Sequence, residues 1–266
     1  MRELATKGTK STKVVLTLFV LFVPFVANLF AQDSTTIPLK RFAVIRVDQQ
    51  DINRVPNDLR QIFADPVPDA EVVNSLNDAT MRVGFTARLP KSDKTPQFGI
   101  ISPVSEELKI KVAELRASLK DANAGDVTVP DSWEGVTIDV SQRPGVFADF
   151  GGFFVVQAPI QTMSVRSGFP MDQFIEVLCR ILGMNAAQAR TIRQTFAATP
   201  MAFFPIPSRY DMDVHDAKLR AGTGTLLQNG SKQGELALAW SDNDRTYFLS
   251  GQLTEAEAVS TADSIQ

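Results

Sequence analysis

The sequence predicts an α+β fold, an antiparallel sheet with helices packed on one face. Two observations carry this. Several segments alternate apolar and polar side chains with the period of two that marks a half-buried strand, and others repeat apolar residues at three- and four-residue spacing between capping signals. The composition is that of a folded chain: 266 residues, 44% hydrophobic and 21% charged, enough for one large core or two small ones.

Residues 1–31 stand apart. Arg2, Lys7, Lys10 and Lys13 precede a nearly uninterrupted apolar run from Val14 to Phe30, ending at Ala31-Gln32, which is the pattern of an export signal. Leu29 is tolerable at the minus-three position, and Pro24 and Asn28 weaken the run as a helix, so cleavage after Ala31 is the favoured reading. The run also approaches the roughly 17–25 residues of a bilayer span, so a retained N-terminal anchor in the inner membrane stays open. Either way the basic end stays on the cytoplasmic side and the body is carried across, to the periplasm or beyond. Membrane contact is expected only through residues 14–31, and only if they are retained.

Removing residues 1–31 takes away four bases and one acid, so the formal net charge of −3 becomes about −6. Such a surface repels phosphate backbones and anionic lipid, which argues against a nucleic-acid partner. Cys179 is the only cysteine; it allows no internal disulfide and lies too far from the signal for lipid modification. Its spacing from Ile175 and Leu182 makes it a small buried apolar residue rather than a reactive thiol.

Residues 32–68 are broken by Pro56, Pro66 and Pro68 and are expected to form a tether held against the body. Within it Phe42–Val47 is a candidate strand and Leu59–Phe63 a short ordered segment. The α+β domain is expected over 69–266. Asp69 is placed as the cap of a short helix through Val72, Val73 and Leu76, followed by a strand over Val83–Leu89 and a neighbour at Phe98–Ile101. Ser105 is placed as the cap of the next helix, with Glu106 and Glu107 in its first turn and Leu108, Val112, Leu115 and Leu119 on one face.

Val136, Ile138 and Val140 then share one face of a strand, with Thr137 and Asp139 on the other. Phe147 to Val156, interrupted by Gly151-Gly152, reads as a tight hairpin or a sharply bent strand. Two helices follow. The first runs from Pro170 to Leu182 with Gly183 as its stop, and the second from Ala186 to Ala198 with an Asn185/Gln188 capping box. Beyond Pro200, Tyr210, Met212 and Val214 alternate with Asp211, Asp213 and His215, and a further strand occupies Gly224–Gln228.

The chain closes with its clearest pattern. Leu236, Leu238 and Trp240 alternate with Ala237 and Ala239, a turn centred on Asn243-Asp244 follows, and the alternation resumes through Tyr247 and Leu249. That turn sets Trp240 opposite Tyr247 and Leu238 opposite Leu249, with the large side chains on one face. Thr254 and Glu257 form a capping box for a last helix with Val259, Ala262 and Ile265 on its apolar stripe. Helix, proline corner and a strand ending Asp-Val occur twice, through Asp139-Val140 and again through Asp213-Val214. Two similar halves, 69–160 and 161–266, are therefore open.

No chemistry assembles from these residues. The only histidine is His215, no Gly-x-Ser-x-Gly elbow is present, and Gly222-Thr223-Gly224 is a turn rather than a phosphate loop. Asp149, Glu235 and Asp242 sit at hairpin ends, where acids face water. Asp211, Asp213 and His215 share a strand face that a metal could use, but a solvated face is the expected reading. An enzyme, a metal and a cofactor are therefore not expected. The chain is rich in Phe, with 18 against 2 Tyr and 2 Trp, and two runs lack alternation: Phe153–Val156 and Met201–Pro207. Either both faces of these strands are covered, or Phe153, Phe154, Phe203 and Phe204 converge on one apolar cleft.

The Leu236–Trp240 alternation, the Tyr247–Gly251 strand and the Leu253–Val259 helix start resemble an uncharacterised bacterial extracytoplasmic domain family. That domain also forms the outer part of anti-sigma-factor-like membrane proteins. The resemblance is clearest over about residues 227–266 and extends by element order to about Pro130. It implies an envelope-side module without catalytic residues. Segment 1–13 has no room for a sigma-binding domain, so signalling across the membrane by this chain alone is not implied. The expected function is a non-enzymatic binding or interaction module of the cell envelope with an unknown envelope protein as partner; the alternative is a carrier of an apolar, lipid-like small molecule. Mass spectrometry of the exported chain is expected to find Gln32 as its first residue, whereas an intact segment from Arg2 to Lys13 would establish the anchor.

Overall fold

The structure is a computed structural model in which residues 34–56, 70–230 and 235–265 are described. The α+β architecture is present, with its strands divided among two antiparallel sheets and a parallel ribbon. The larger sheet has eight strands in the order β11 (Met212–Leu219), β12 (Gly222–Asn229), β13 (Glu235–Ser241), β14 (Arg245–Gln252), β8 (Phe153–Pro159), β7 (Gly145–Asp149), β4 (Gln97–Ile101) and β3 (Ala70–Val73). The smaller has four, β1 (Ser34–Pro38), β9 (Thr162–Arg166), β6 (Thr137–Gln142) and β5 (Val104–Lys109). Between them β2 (Arg41–Val47) and β10 (Met201–Pro207) pair in parallel. The helices are α1 (Gln49–Arg54), α2 (Leu76–Val83), α3 (Val112–Asp121), α4 (Met171–Ile181), α5 (Ala186–Ala198) and α6 (Glu255–Asp263).

The closing hairpin has the expected register: Trp240 pairs with Tyr247 and Leu238 with Leu249. The Trp240 and Tyr247 rings stack at 5.0 Å. Leu236, Leu238, Trp240, Tyr247 and Leu249 enter one core, capped by Ala258 and Ala262 of α6. The Thr254/Glu257 box that starts α6 is closed in both directions, and alanines on its inner face let it lie close to the sheet. Further along the same face, α2 covers Val146 and Ile100 with Ala79 and Val83.

The smaller sheet is one-sided, as half-buried strands should be. Ile138, Val140, Met163 and Val165 face a core shared with α3, α4 and α5, while Asp139 is exposed and Thr36 and Ser164 hydrogen-bond on the other face.

The ribbon joins these parts. Alternation along β10 sends Met201 and Phe203 into the helix-containing core and Phe204 and Ile206 into a core with the eight-stranded sheet. On β2, Ile45 and Val47 face the first and Val44 the second. Thr225 on β12 fixes the contact by donating its hydroxyl to the Phe42 carbonyl at 3.1 Å. Both apolar runs are thus explained by coverage on two faces.

Four expectations are corrected. Segment 32–68 is more than a tether over its described part: Phe42–Val47 is the expected strand, within β2, but β1 also pairs with β9, β2 lies between the cores, and Leu39, Ile45 and Val47 are fully buried. Its Leu59–Phe63 portion lies outside the described residues. Around Ser105 the chain is strand β5, paired with β6 so that Leu108 meets Ile138, and the helix begins only at Val112. Pairing with a distant strand overrides a local capping signal. The cap comes from elsewhere, the Glu134 carboxylate accepting the Val112 N–H at 2.7 Å.

The third correction concerns 70–89. Ala70–Val73 is a strand and the helix follows it, capped by Ser75 and closed by Gly84 in the left-handed conformation at φ 75°. Val83–Leu89 forms no strand. Its backbone is instead held by a side chain: the Gln157 amide accepts the Arg88 N–H at 2.8 Å and donates to the Arg88 carbonyl at 2.7 Å. The chain segments 69–160 and 161–266 also do not separate in space. β3, β4, β7 and β8 share the large sheet with β11–β14, and β5 and β6 share the small one with β9.

Phe154 and Phe204, 5% and 6% exposed, meet in the core between ribbon and sheet. Phe154→Ala and Phe204→Ala should each lower stability by about 3–5 kcal/mol in urea unfolding, and Phe153→Ala, on a partly exposed ring, by clearly less. Equal losses at all three positions would contradict this layering.

Candidate functional site

The four phenylalanines singled out from the sequence occupy three different cores. Phe154 and Phe204 lie between the ribbon and the large sheet, Phe203 in the helix-containing core, and Phe153 against the α6 side. Period two makes this unavoidable, because adjacent residues of a strand point to opposite faces. Each ring has an aromatic neighbour: Phe153 stacks on Phe150 at 4.7 Å, Phe154 lies 5.2 Å from Phe147, Phe203 is 6.2 Å from Phe196 and Phe204 is 5.1 Å from Phe42. They do not line a common cleft.

An apolar cavity does exist elsewhere. It encloses about 40 Å³ beneath α4, where the smaller sheet and the ribbon meet, and Phe203 is part of its wall. The rest of the lining includes Ile45, Val140, Met163, Met171, Leu178, Cys179 and Met201. Cys179 is 1% exposed, and burial, aided by the neighbouring Glu176 carboxylate, pushes its thiol up to about 12. At neutral pH it is an un-ionised apolar group, as its helical spacing predicts.

A polar cluster closes the end of the eight-stranded sheet at the β13–β14 turn. Asp242 Oδ2 accepts from Arg88 at 2.6 Å and from the Tyr247 hydroxyl at 2.8 Å, and Arg88 also donates to the Tyr247 oxygen at 2.9 Å. Asp242 Oδ1 accepts the N–H groups of Asp244 and Arg245 at 3.0 and 2.9 Å. Arg245 donates to the Thr86 carbonyl at 2.6 Å and lies over the Phe85 ring at 4.9 Å. Burial alone would raise the Asp242 carboxyl, but the Asp244 N–H, the Tyr247 hydroxyl and the Arg245 N–H outweigh it and hold the carboxyl below its ordinary range. Burial and the Asp242 carboxylate push Tyr247 up to about 12, against the opposing pull of Arg88. These groups bind one another and strap residues 85–89 to the sheet. Asp242 was expected to face water, and no sequence pattern links Arg88 to it.

Of the Asp211, Asp213 and His215 face, two residues come together. His215 Nδ1 is 3.2 Å from Asp213, and its Nε2 is 3.3 Å from Glu255 at the start of α6. Asp211 lies instead against Gly230. Among the described residues no group of three His, Cys, Asp or Glu side chains is arranged to hold a metal ion. Comparisons with protein families, with curated proteins and with solved structures give no match.

The raised Tyr247 value fixes the sign of a pH effect. An unfolded tyrosine titrates near 10, so the stability that the neutral phenol contributes is complete below about pH 10 and is lost as pH rises through about 12. The urea midpoints of the natural chain and of Tyr247→Phe should stay a constant distance apart up to about pH 10 and then converge. A gap that persists unchanged above pH 11 would show that the phenol is not held neutral by this cluster.

Proposed function

We propose that the chain is a non-enzymatic interaction module on the outer side of the cytoplasmic membrane, and that an envelope protein docks at the β3 end of its large sheet. Export rests on the basic and then apolar sequence of residues 1–31. Among the described residues no helix is long and apolar enough to cross a membrane. The resemblance of the hairpin and helix ending to an extracytoplasmic domain family supports the same compartment.

One observation carries the docking surface. Phe248, Val156, Phe147, Gly99 and Val72 pair in register across five strands and therefore form one row on one face. Phe248 and Val156 are buried beneath the ribbon, Phe147 is partly exposed, and Val72 at the end of the row is 64% exposed. The row runs out from under its cover to β3, the last strand of the sheet among the described residues. An extended segment of a partner, adding a strand beside β3 and setting apolar side chains over Val72 and Phe147, would complete both the sheet and its cover. The alternative, a lipid carrier, needs a pocket of roughly 300–1,000 Å³, and the cavity under α4 encloses about 40 Å³.

Val72→Lys places a charge where the partner would sit, on a side chain whose exposure limits the effect on folding to about 0.5 kcal/mol. Native mass spectrometry of the chain isolated from its own envelope should show a protein complex for the natural sequence and the chain alone for Val72→Lys. A natural chain that runs alone, or a variant that keeps the complex, would overturn the docking surface.

A further inference from the structure

The cavity under α4 has a wall with no polar surface. Water inside would find no hydrogen-bond partner, and an apolar void of this kind stays dry and accepts apolar solutes. Its 40 Å³ is room for roughly three water-sized spheres, at about 10–15 Å³ each. Three of the chain's methionines, Met163, Met171 and Met201, lie in the wall and come from β9, α4 and β10. Methionine side chains are unbranched and polarizable, so they re-pack around an apolar guest at low cost. Leu178 is the one wall residue that is only partly buried, which places the way in at the outer side of α4, past that side chain.

We propose that this cavity is a binding site for a saturated hydrocarbon group of about three carbon atoms, entering past Leu178 and held by the three methionines and Phe203. Nothing in the wall recognises charge or a hydrogen-bonding group, so the bound part carries neither. The group has two possible sources: a free small apolar molecule, or the methyl end of a longer alkyl chain whose remainder lies outside over α4. The site is separate from the β3 edge, and its test needs no protein partner.

The test is NMR of the exported chain labelled at its methionine methyl groups, titrated in one arm with cyclopropane and in the other with decanoate below its micelle concentration. Saturable shifts at Met163, Met171 and Met201, with none at Met81, which is 68% exposed, are expected. Shifts with cyclopropane alone identify a small-molecule site, and saturation by decanoate as well identifies a chain end. Val140→Ile adds a methyl group to the cavity with little disturbance of the strand and should weaken binding at least tenfold. If neither probe shifts the three methyls, or Met81 shifts in parallel with them, or Val140→Ile binds as the natural chain does, the cavity is a packing void and the proposal fails.

Discussion

The fold depends on a two-stranded ribbon that must satisfy two cores at once. β2 and β10 pair in parallel, so they cannot be joined by a tight turn, and the chain builds half of the large sheet and three strands of the small one between them. Their side chains alternate into opposite layers: Ile45, Met201 and Phe203 on one side, Val44, Phe204 and Ile206 on the other. Each large apolar side chain buried this way contributes about 1.5–3 kcal/mol, against a net stability of about 5–15 kcal/mol for an ordinary domain. The ribbon therefore cannot leave while the rest stays folded. A polar residue at any of these positions would be buried against one core or the other, which is why all of them are apolar, while the two charged residues of β2, Arg41 and Arg46, are exposed.

The same constraint decides what was legible in the sequence. Where partners are close in the chain, local chemistry was enough: the Trp240/Tyr247 register, the Asn185 and Thr254 capping boxes, and the Gly151-Gly152 hairpin lie where spacing puts them. Misreadings fall where the partner is distant. Ser105-Glu106-Glu107 has the local look of a helix start, yet Leu108 is held by Ile138 on β6. Phe42–Val47 is the strand that its apolar run predicts, but the stretch around it looks like a tether because β1 and β2 find their partners more than a hundred residues onward, at β9 and β10. Continuous apolar runs announced that both faces of β8 and β10 would be covered, but not by what.

The candidate sites divide in the same way. Phe203 lines the cavity under α4 while Phe153, Phe154 and Phe204 lie in other cores, because adjacency in sequence means opposite faces on a strand. The remaining wall residues belong to six separate segments, and only the three-dimensional crossing of ribbon, sheet and helix brings them together. The Arg88–Asp242–Tyr247 cluster was invisible for a related reason. Gln157 occupies a strand position, yet it lies at 0% exposure and uses its side-chain amide to satisfy the backbone of Arg88. A buried glutamine in an apolar strand is the one local hint that some backbone nearby lacks a strand partner.

Coverage, finally, explains why the large sheet has a soft end. The ribbon is two strands wide and cannot span eight, and on the face it covers the sheet extends beyond it toward β4 and β3. The opposite face has no such gap, because α6 covers the β11–β14 side and α2 the β3–β7 side, with the strapped segment 85–89 between them. The strap thus completes the cover on the face where Tyr247 and Gln157 lie, and on the other face the row that the described residues leave uncovered ends at Val72. Glycine at position 99 belongs to this arrangement: a Cβ there would come within 3.2 Å of the Glu71 carbonyl and 3.8 Å of the Phe147 ring. The row is thereby kept low at its centre while an apolar side chain stands on either side of the dip, a shape that suits an extended chain laid across it better than a flat surface would.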